Sequence, residues 1–219
     1  MVRVESVFKS YKGNPVLKGA SFSAEPGEII TVSGVSGAGK TTLLRMIAGF
    51  DLPDSGDIFL NGRSVCRNYM PPHRRGIGFT FQGNALFPCM NTVRNIEFPL
   101  HRWSKRQIAE RRGELIEAMG LAGLERNNPS TLSGGQAKRV ELARALAAKP
   151  DILLLDEPLS NIEQKLKGQI LNFIMEDRKK SGAVLIYVSH DGWELERVGG
   201  RRLQMEGGLL LEEFAENQL

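Results

Sequence analysis

The chain has 219 residues, of which 41% are hydrophobic and 25% charged, the balance of an ordinary soluble globular protein. No apolar run approaches the roughly 18 residues that a membrane-spanning helix needs, and the charges within residues 1–5 are unlike a secretory leader. The net charge of +4 is small and scattered along the chain, so we expect no nucleic-acid partner.

The first third of the sequence reads as short strands closed by turns. Candidate strands share alternating or continuous apolar residues and cover 2–7, 16–22, 29–32, 56–62 and 76–81. A glycine-rich loop follows the third of them, and residues 41–48 then show the apolar spacing of a helix. Strand, glycine loop and helix in this order form the context of a phosphate-binding site.

Between about residues 83 and 149, strand patterns give way to amphipathic helices. Ser104 is a candidate N-cap for a helix that Gly120 would end, and a further helix is predicted over 137–148. Strands return at 151–155, 183–188 and near Leu203 and Leu209, with a helix over 164–180 between the first two. We predict a single α/β domain, in which the core (1–82 and 150–219) is interrupted by a helical subdomain (83–149).

Residues 34–41 read Gly-Val-Ser-Gly-Ala-Gly-Lys-Thr, a complete phosphate-binding loop. Glycines let successive backbone N–H groups converge on phosphate oxygens, and the helix N-terminus adds a positive dipole end. Lys40 is expected to bridge the β- and γ-phosphates of ATP, and the Thr41 hydroxyl to ligate Mg²⁺. The predicted nucleotide-binding residues here are Gly34, Val35, Ser36, Gly37, Ala38, Gly39, Lys40, Thr41 and Thr42.

Two carboxylates follow the apolar run 152–155 and predict hydrolysis rather than binding alone. Asp156 is expected to act on Mg²⁺, and Glu157 is expected to polarise the attacking water as the catalytic base. The alternative is an acidic pair that merely caps a strand at the surface. That alternative fits poorly after a run apolar enough to be buried on both faces.

A second anion-binding corner is predicted where Ser133, Gly134, Gly135 and Gln136 open a helix. At these residues the chain resembles the ATP-binding cassette (ABC) ATPases, and the resemblance covers essentially its whole length. It implies a P-loop nucleotide hydrolase core with a mixed sheet, an N-terminal antiparallel β region and an inserted helical subdomain. It also implies that the residues of this corner bind ATP held by another copy, so that two ATP molecules are sandwiched in a head-to-tail dimer.

The resemblance assigns further residues one at a time. Tyr11 matches the aromatic residue that stacks on adenine, with Val16 also in the nucleotide-binding set; without the resemblance, Tyr11 reads as a core or edge-strand aromatic. Gln82 matches the glutamine that touches Mg²⁺ and the attacking water. His190 matches the histidine that contacts the γ-phosphate, although a lone histidine after a strand is more often structural. Glu163 departs from the family pattern, which has aspartate there.

The resemblance also implies a transporter with partner subunits. Segments 70–78, 85–88 and 95–100 look like bacterial importer cassettes that serve sugars, polyamines and small anions. We therefore expect integral membrane permease subunits that contact the helical subdomain near Gln82, an extracytoplasmic solute-binding protein, and a cytoplasmic location on the inner face of the membrane. Because the sequence ends soon after Gly208, we expect the C-terminal regulatory domain of many such cassettes to be absent.

Other functions within the family stay open. An exporter or lipoprotein-releasing cassette is the main alternative to an importer. A DNA-repair ATPase would need long coiled-coil arms, for which the roughly 90 residues between Lys40 and Ser133 leave no room. A translation-associated protein would normally carry two cassettes. The apolar residues Phe87, Pro88 and Met90 are either core or a pocket for a membrane subunit.

Overall fold

A computed structural model of the chain describes residues 1–83 and 85–213 and arranges them around two β-sheets. Asn84 and residues 214–219, which fall within the predicted domain boundaries, lie outside the described residues. The strands are β1 (Val2–Tyr11), β2 (Asn14–Ala24), β3 (Ile29–Ser33), β4 (Ser55–Leu60), β5 (Arg63–Ser64), β6 (Ile77–Thr80), β7 (Ile152–Asp156), β8 (Val184–Val188), β9 (Arg201–Glu206) and β10 (Leu209–Glu212). The helices are α1 (Lys40–Ala48), α2 (Thr92–Glu97), α3 (Lys105–Ala118), α4 (Gly134–Ala147), α5 (Gln164–Ser181) and α6 (Gly192–Val198).

The two sheets differ in the direction of their strands. One is antiparallel, in the order β2-β1-β4-β5, and its β1–β2 hairpin turns at Lys12 and Gly13, which both have positive φ. The other has the order β10-β9-β3-β8-β7-β6 and is parallel except for β10. The prediction of an α/β fold with a mixed sheet and an N-terminal antiparallel region is therefore confirmed.

The hydrophobic core covers both faces of the mixed sheet. Successive residues of a strand point to opposite faces, so Leu154 and Ile186 pack with α1 and the antiparallel sheet, while Leu153 and Leu185 pack with the helices α2–α5. Every residue of β7 and β8 is buried, as a parallel strand covered on both sides requires. The helices α2–α4 lie within the predicted subdomain 83–149, but their apolar side chains share one cluster with the sheet.

Helix ends follow local capping more closely than apolar spacing. Ser104 caps α3 through a reciprocal pair of hydrogen bonds with Gln107, as predicted, and Gly120 follows the helix at φ 58°. Helix α4 begins at Gly134, three residues before the predicted start, because Ser133 and Gln136 form the same capping box. Within the described ranges, no helix combines the length and hydrophobicity needed to cross a membrane.

Candidate nucleotide-binding site

The loop between β3 and α1 packs against the fold on one side and is open on the other. Gly34, Gly37 and Gly39 all have positive φ, a conformation that other L-residues avoid. A Cβ on Gly34 would lie 2.4 Å from Met205 O, and one on Gly39 would lie 2.9 Å from Leu17 Cδ2. A Cβ on Gly37 would meet nothing within 4 Å. Two glycines therefore let the loop pack closely on the fold, and the third lies at its free side.

Positive groups gather at the start of α1. The first N–H of this helix with a backbone acceptor is that of Leu43, which donates to Gly39 O at 2.9 Å. The N–H groups of residues 40–42 precede that bond, as expected for a helix N-terminus, which attracts anions. The ammonium of Lys40 lies over the loop, where Nζ donates to Gly34 O at 2.6 Å and to Val35 O at 3.0 Å. This arrangement can hold a phosphate chain.

Thr41 and Asp156, two predicted Mg²⁺ ligands, lie side by side. Thr41 Oγ1 donates to Asp156 Oδ2 at 2.6 Å, and the Asp156 N–H donates to Thr80 Oγ1 at 2.9 Å. Asp156 is 1% exposed, and this burial raises the pKa of its carboxyl, while the hydrogen bond from Thr41 acts to lower the pKa. No group of three or more His, Cys, Asp and Glu within residues 1–83 and 85–213 could hold a metal ion by itself. The pair fits Mg²⁺, which binds through one or two protein oxygens together with phosphates.

Glu157 and His190 meet beyond the ends of β7 and β8. The Glu157 N–H donates to Val188 O at 2.9 Å, and its φ of 44° is rare for a residue other than glycine. Its Oε1 lies 3.0 Å from Nδ1 of His190, with the two side chains 25% and 73% exposed. These two of the four predicted catalytic residues, which also include Lys40 and Gln82, are thus in contact and accessible to solvent.

A buried network behind His190 was not found by sequence reasoning. Its centre is the Glu194 carboxylate, which accepts hydrogen bonds from Lys167 Nζ at 2.7 Å, Tyr187 Oη at 2.9 Å and Ser189 Oγ at 2.9 Å. Lys167 also donates to Asp191 Oδ2 at 3.0 Å, and Asp191 caps helix α6. The spacing of Asp191 and Glu194 is that of a capping motif and could have predicted this helix start. The network holds the residues on both sides of His190.

Gln82 lies beside the loop helix. It is exposed just after β6 and lines a cavity of about 300 Å³ together with Thr41, Arg45, Phe79, Phe81, Gly83 and Ala85. The structure therefore places Gln82 and Thr41, two predicted Mg²⁺ ligands from distant parts of the sequence, in the walls of one cavity.

Tyr11 stands at the other side of α1. The residue is 42% exposed, and its hydroxyl donates to Asp51 Oδ2 at 3.1 Å. Arg45 Nε donates to the same oxygen at 2.7 Å, so an acidic side chain joins Tyr11 to the helix. Val16 is partly buried, and its carbonyl would lie 3.1 Å from a Cβ on Gly39. Val16 therefore borders the loop, whereas Tyr11 is joined to α1 through Asp51, and the Lys9 ammonium lies 5.4 Å from the centroid of its ring.

The turn at residues 133–136, named here the signature turn, stands apart from this site. Ser133 Oγ accepts from the Gln136 N–H at 3.2 Å, and Gln136 Oε1 accepts from the Ser133 N–H at 2.9 Å. Ser133 and Gly134 are exposed, whereas a Cβ on Gly135 would lie 2.6 Å from Asn161 O. Among the described residues, no hydrogen bond joins the signature turn to loop 34–41. Within one copy, the two predicted anion-binding corners are therefore not joined by a hydrogen bond among the described residues.

Comparison with known proteins points in one direction. Residues 17–160 match the family model described as ABC transporter. The chain is 40% identical to the molybdate/tungstate import ATP-binding protein WtpC of Thermococcus kodakarensis, over 97% of this chain and 64% of that protein. It is also 40% identical to the spermidine/putrescine import ATP-binding protein PotA of Thermotoga maritima, over 96% of this chain and 57% of that one. It therefore spans roughly three fifths of the length of these relatives.

Solved structures share the fold at nearly full length. The dimeric post-hydrolysis state of the ATP-binding cassette MJ0796 bound to ADP and Pi superimposes with a TM-score of 0.88 at 30% identity. The match covers 97% of this chain and 98% of that one. A second dimeric structure, described as MJ0796, a bacterial ABC transporter cassette, gives a TM-score of 0.89 with the same identity and coverage.

Proposed function

This chain belongs to the ABC transporter family, and on that basis we propose that it is an ATP-hydrolysing subunit that drives a membrane transporter. The observation that carries the proposal is the meeting of four elements at one end of the mixed sheet. The loop and α1 present Lys40 and Thr41, β7 presents Asp156 and Glu157, and the segment after β8 presents His190. Phosphate binding and water activation thus share one site.

ATP binding is assigned to the loop and its surroundings. The N–H groups that open α1 and the Lys40 ammonium would hold the phosphates, and Tyr11 would carry the adenine on its exposed face. Thr41 and Asp156 would hold Mg²⁺, with Gln82 beside them, and the ion would supply positive charge to the phosphate oxygens. When ATP binds, the Lys40 ammonium would donate to phosphate oxygens in place of the loop carbonyls. Lys40 would thereby exchange neutral acceptors for charged ones.

Hydrolysis is assigned to Glu157. Its carboxylate would accept a proton from the water that attacks the γ-phosphorus, as the bond to the β-phosphate oxygen breaks and ADP and phosphate form. His190, 3.0 Å from that carboxylate, would hold Glu157 in place and reach the γ-phosphate. The exposure of His190 supports this, because its ring is free to approach a ligand.

The active unit is proposed to be a pair of chains. The signature turn forms an exposed helix N-terminus apart from loop 34–41, so it would contact ATP held by a second copy. The similar cassette MJ0796 is described as dimeric, which supports this arrangement. ATP would then close the dimer, and loss of the γ-phosphate would let it open.

A second cavity supports a membrane partner. It measures about 580 Å³ and lies where β6 faces α4. Its lining combines aromatic, proline and small residues with the polar side chains His73, His101, Arg144, Lys149 and Asp151. Phe87 and Phe98 line it with ring centroids 4.7 Å apart, and Phe98 is half exposed. Such a groove, which combines apolar and polar side chains, suits an amphipathic segment of a permease. Of the predicted apolar residues, Phe87 lines this groove, whereas Pro88 and Met90 do not belong to its described lining.

We assign the transporter to import. The relatives described above carry import names for molybdate/tungstate and spermidine/putrescine. A cytoplasmic position on the inner face of the membrane, permease partners and a solute-binding protein follow from import. Because these relatives differ in their solutes, none is assigned to this chain.

Phosphate release by the purified chain with Mg²⁺ and ATP tests the enzymatic proposal. We expect steady release that Lys40→Ala abolishes, with Lys105→Ala, an exposed cation on α3, as the matched control. Failure of the wild-type chain to release phosphate, alone or with its permease in liposomes, would overturn it. In the same liposomes, the outer face that carries the cassettes corresponds to the cytoplasmic side of a membrane. Release of solute from the lumen on addition of ATP to the bath would therefore support import, and accumulation of solute in the lumen would support the exporter alternative.

A further inference from the structure

Two charged side chains of α4 hold the backbone of a single residue, Phe81. Glu141 Oε1 accepts from the Phe81 N–H at 2.7 Å, and Lys138 Nζ donates to Phe81 O at 2.5 Å. Phe81 is separated from these residues by 60 and 57 positions in the sequence. Both polar groups of one peptide segment are thus fixed by a helix that belongs to a different part of the fold.

The pair is buried. Glu141 is 1% exposed, and its Oε2 has no hydrogen-bond partner among the described residues, although it lies 3.4 Å from Lys138 Nζ. Burial raises the pKa of the Glu141 carboxyl, and the nearby Lys138 ammonium acts against that rise. A buried ion pair adds little net stability compared with apolar residues of the same size. Its presence between a helix and a sheet therefore calls for an explanation other than stability.

The position of the pair supplies that explanation. Phe81 directly precedes Gln82, and Lys138 Nζ also lies 3.4 Å from Asp156 O. One ammonium therefore contacts the backbone beside two residues of the proposed Mg²⁺ site. Along the chain, Lys138 lies two residues after the signature turn, in the first turns of α4. A displacement of the signature turn would move this ammonium and, through it, the backbone at both strand ends.

We propose that Lys138 and Glu141 are positioning residues that couple the signature turn to Gln82. The inference rests on the proposed function of the site and adds the route by which the signature turn acts on Gln82. ATP held by one copy docks on the signature turn of the other, and Lys138 and Glu141 then set the Gln82 backbone of that second copy. Each copy is thereby made competent for hydrolysis by the nucleotide of its partner.

A double-mutant cycle between Lys138 and Gln82 tests the coupling. Lys138→Met keeps most of the length of the side chain and removes its donors. We expect kcat for ATP hydrolysis to fall about tenfold, a size typical of residues that share one network, with the KM for ATP changed less than about twofold. In a Gln82→Ala background the same substitution should cost less than about twofold, since the group it positions is gone. Lys138→Arg should restore most of kcat, because a guanidinium can donate to both carbonyls.

A second variant keeps the test decisive if Lys138→Met does not fold. Glu141→Gln retains an acceptor for the Phe81 N–H and removes the charge that pairs with Lys138, and it enters the same cycle with Gln82→Ala. Lys105→Met, at an exposed lysine outside the site, is the control for the loss of a cation. A wild-type chain without ATPase activity would overturn the proposed function itself. An active wild type, in which Lys138→Met and Glu141→Gln leave kcat unchanged or lower it equally with and without Gln82, would overturn only the coupling.

Discussion

Oε1 of Glu157 lies 3.0 Å from Nδ1 of His190, although the two residues are 33 positions apart in the sequence. The contact exists because β7 and β8 are parallel neighbours, so the residues that follow them emerge at the same edge of the sheet. Glu157 leaves its strand with a positive φ, and His190 is held through the Glu194 network. Proposed base and proposed phosphate contact are therefore positioned by two strand ends.

Replacing Glu157 by Gln should separate binding from turnover. The amide keeps the shape of the side chain but cannot accept a proton from water, so we expect the ATPase rate to fall about 100-fold or more. ATP binding should persist, and size-exclusion chromatography with ATP should show an accumulated dimer. Glu176→Gln, at an exposed glutamate on α5, should hydrolyse ATP normally. Near-normal hydrolysis by Glu157→Gln would remove this residue from the role of base.

Lys167 should stabilise the fold through the carboxylates it neutralises. Lys167→Met would leave Glu194, which is 3% exposed at its side chain, without its cation. Because an unpaired buried charge is strongly unfavourable, we expect a loss of about 3 kcal/mol in the free energy of unfolding. The neighbouring Lys165 is exposed, so Lys165→Met should change the free energy of unfolding by less than about 0.5 kcal/mol. Urea denaturation of both variants measures the difference, and equal effects would contradict the assigned role of Lys167.

Adjacent glycines of the signature turn should respond differently to alanine. A Cβ on Gly135 would lie 2.6 Å from Asn161 O, so Gly135→Ala must displace α4 or the loop before α5 and should lower the melting temperature by several degrees. A Cβ on Gly134 would meet nothing within 4 Å, so Gly134→Ala should fold as well as the wild type. Its new methyl group would stand on the exposed face assigned to the second copy's ATP. We expect Gly134→Ala to weaken the ATP-dependent dimer without lowering the melting temperature; a dimer of unchanged strength would contradict that assignment.

Protonation of Asp51 should account for one part of the stability that the fold loses at acidic pH. The guanidinium of Arg45 holds the pKa of the Asp51 carboxyl below its usual value, so the folded state binds this proton less readily than the unfolded state. The stabilisation that the charged Asp51 carboxylate provides is therefore complete above the unfolded pKa of about 3.9. It is lost as the pH falls through the lower folded pKa. Asp51→Asn should be less stable than the wild type by about 1 kcal/mol at pH 7. That gap should narrow below about pH 4 in urea titrations, and a gap independent of pH would exclude the ion pair as its cause.

The residues proposed to contact phosphate and metal could be located from the sequence because local patterns place them. A glycine loop between strand and helix has one common geometry, and Asp156 and Glu157 follow an apolar run that can only be a buried strand. Parallel pairing then brings the strand ends together. The start of α4 was misjudged by three residues, because glycines at 134 and 135 read as loop while the capping box of Ser133 and Gln136 makes them helical.

Contacts between distant elements could not be predicted in this way. Lys138 and Glu141 lie on α4 among residues that read as an ordinary amphipathic helix, and only the packing of that helix against β6 shows that they hold Phe81. Helices α2 and α6 have six and seven residues, too few for apolar spacing to reveal. Glu163 precedes α5 without a side-chain cap, and the structure gives no reason for glutamate there in place of aspartate.

The complete burial of β7 and β8 has a consequence for the order in which parts of the molecule open. Strands covered on both faces exchange their amide hydrogens only through near-global unfolding, whereas exposed helix ends exchange through local fraying. In hydrogen-exchange measurements without nucleotide, residues 152–156 and 184–188 should be the most protected, and residues 133–136 should exchange early. A copy could then release its partner's nucleotide through local opening at the N-terminus of α4. The strand β7, which bears Asp156, would stay folded during that opening.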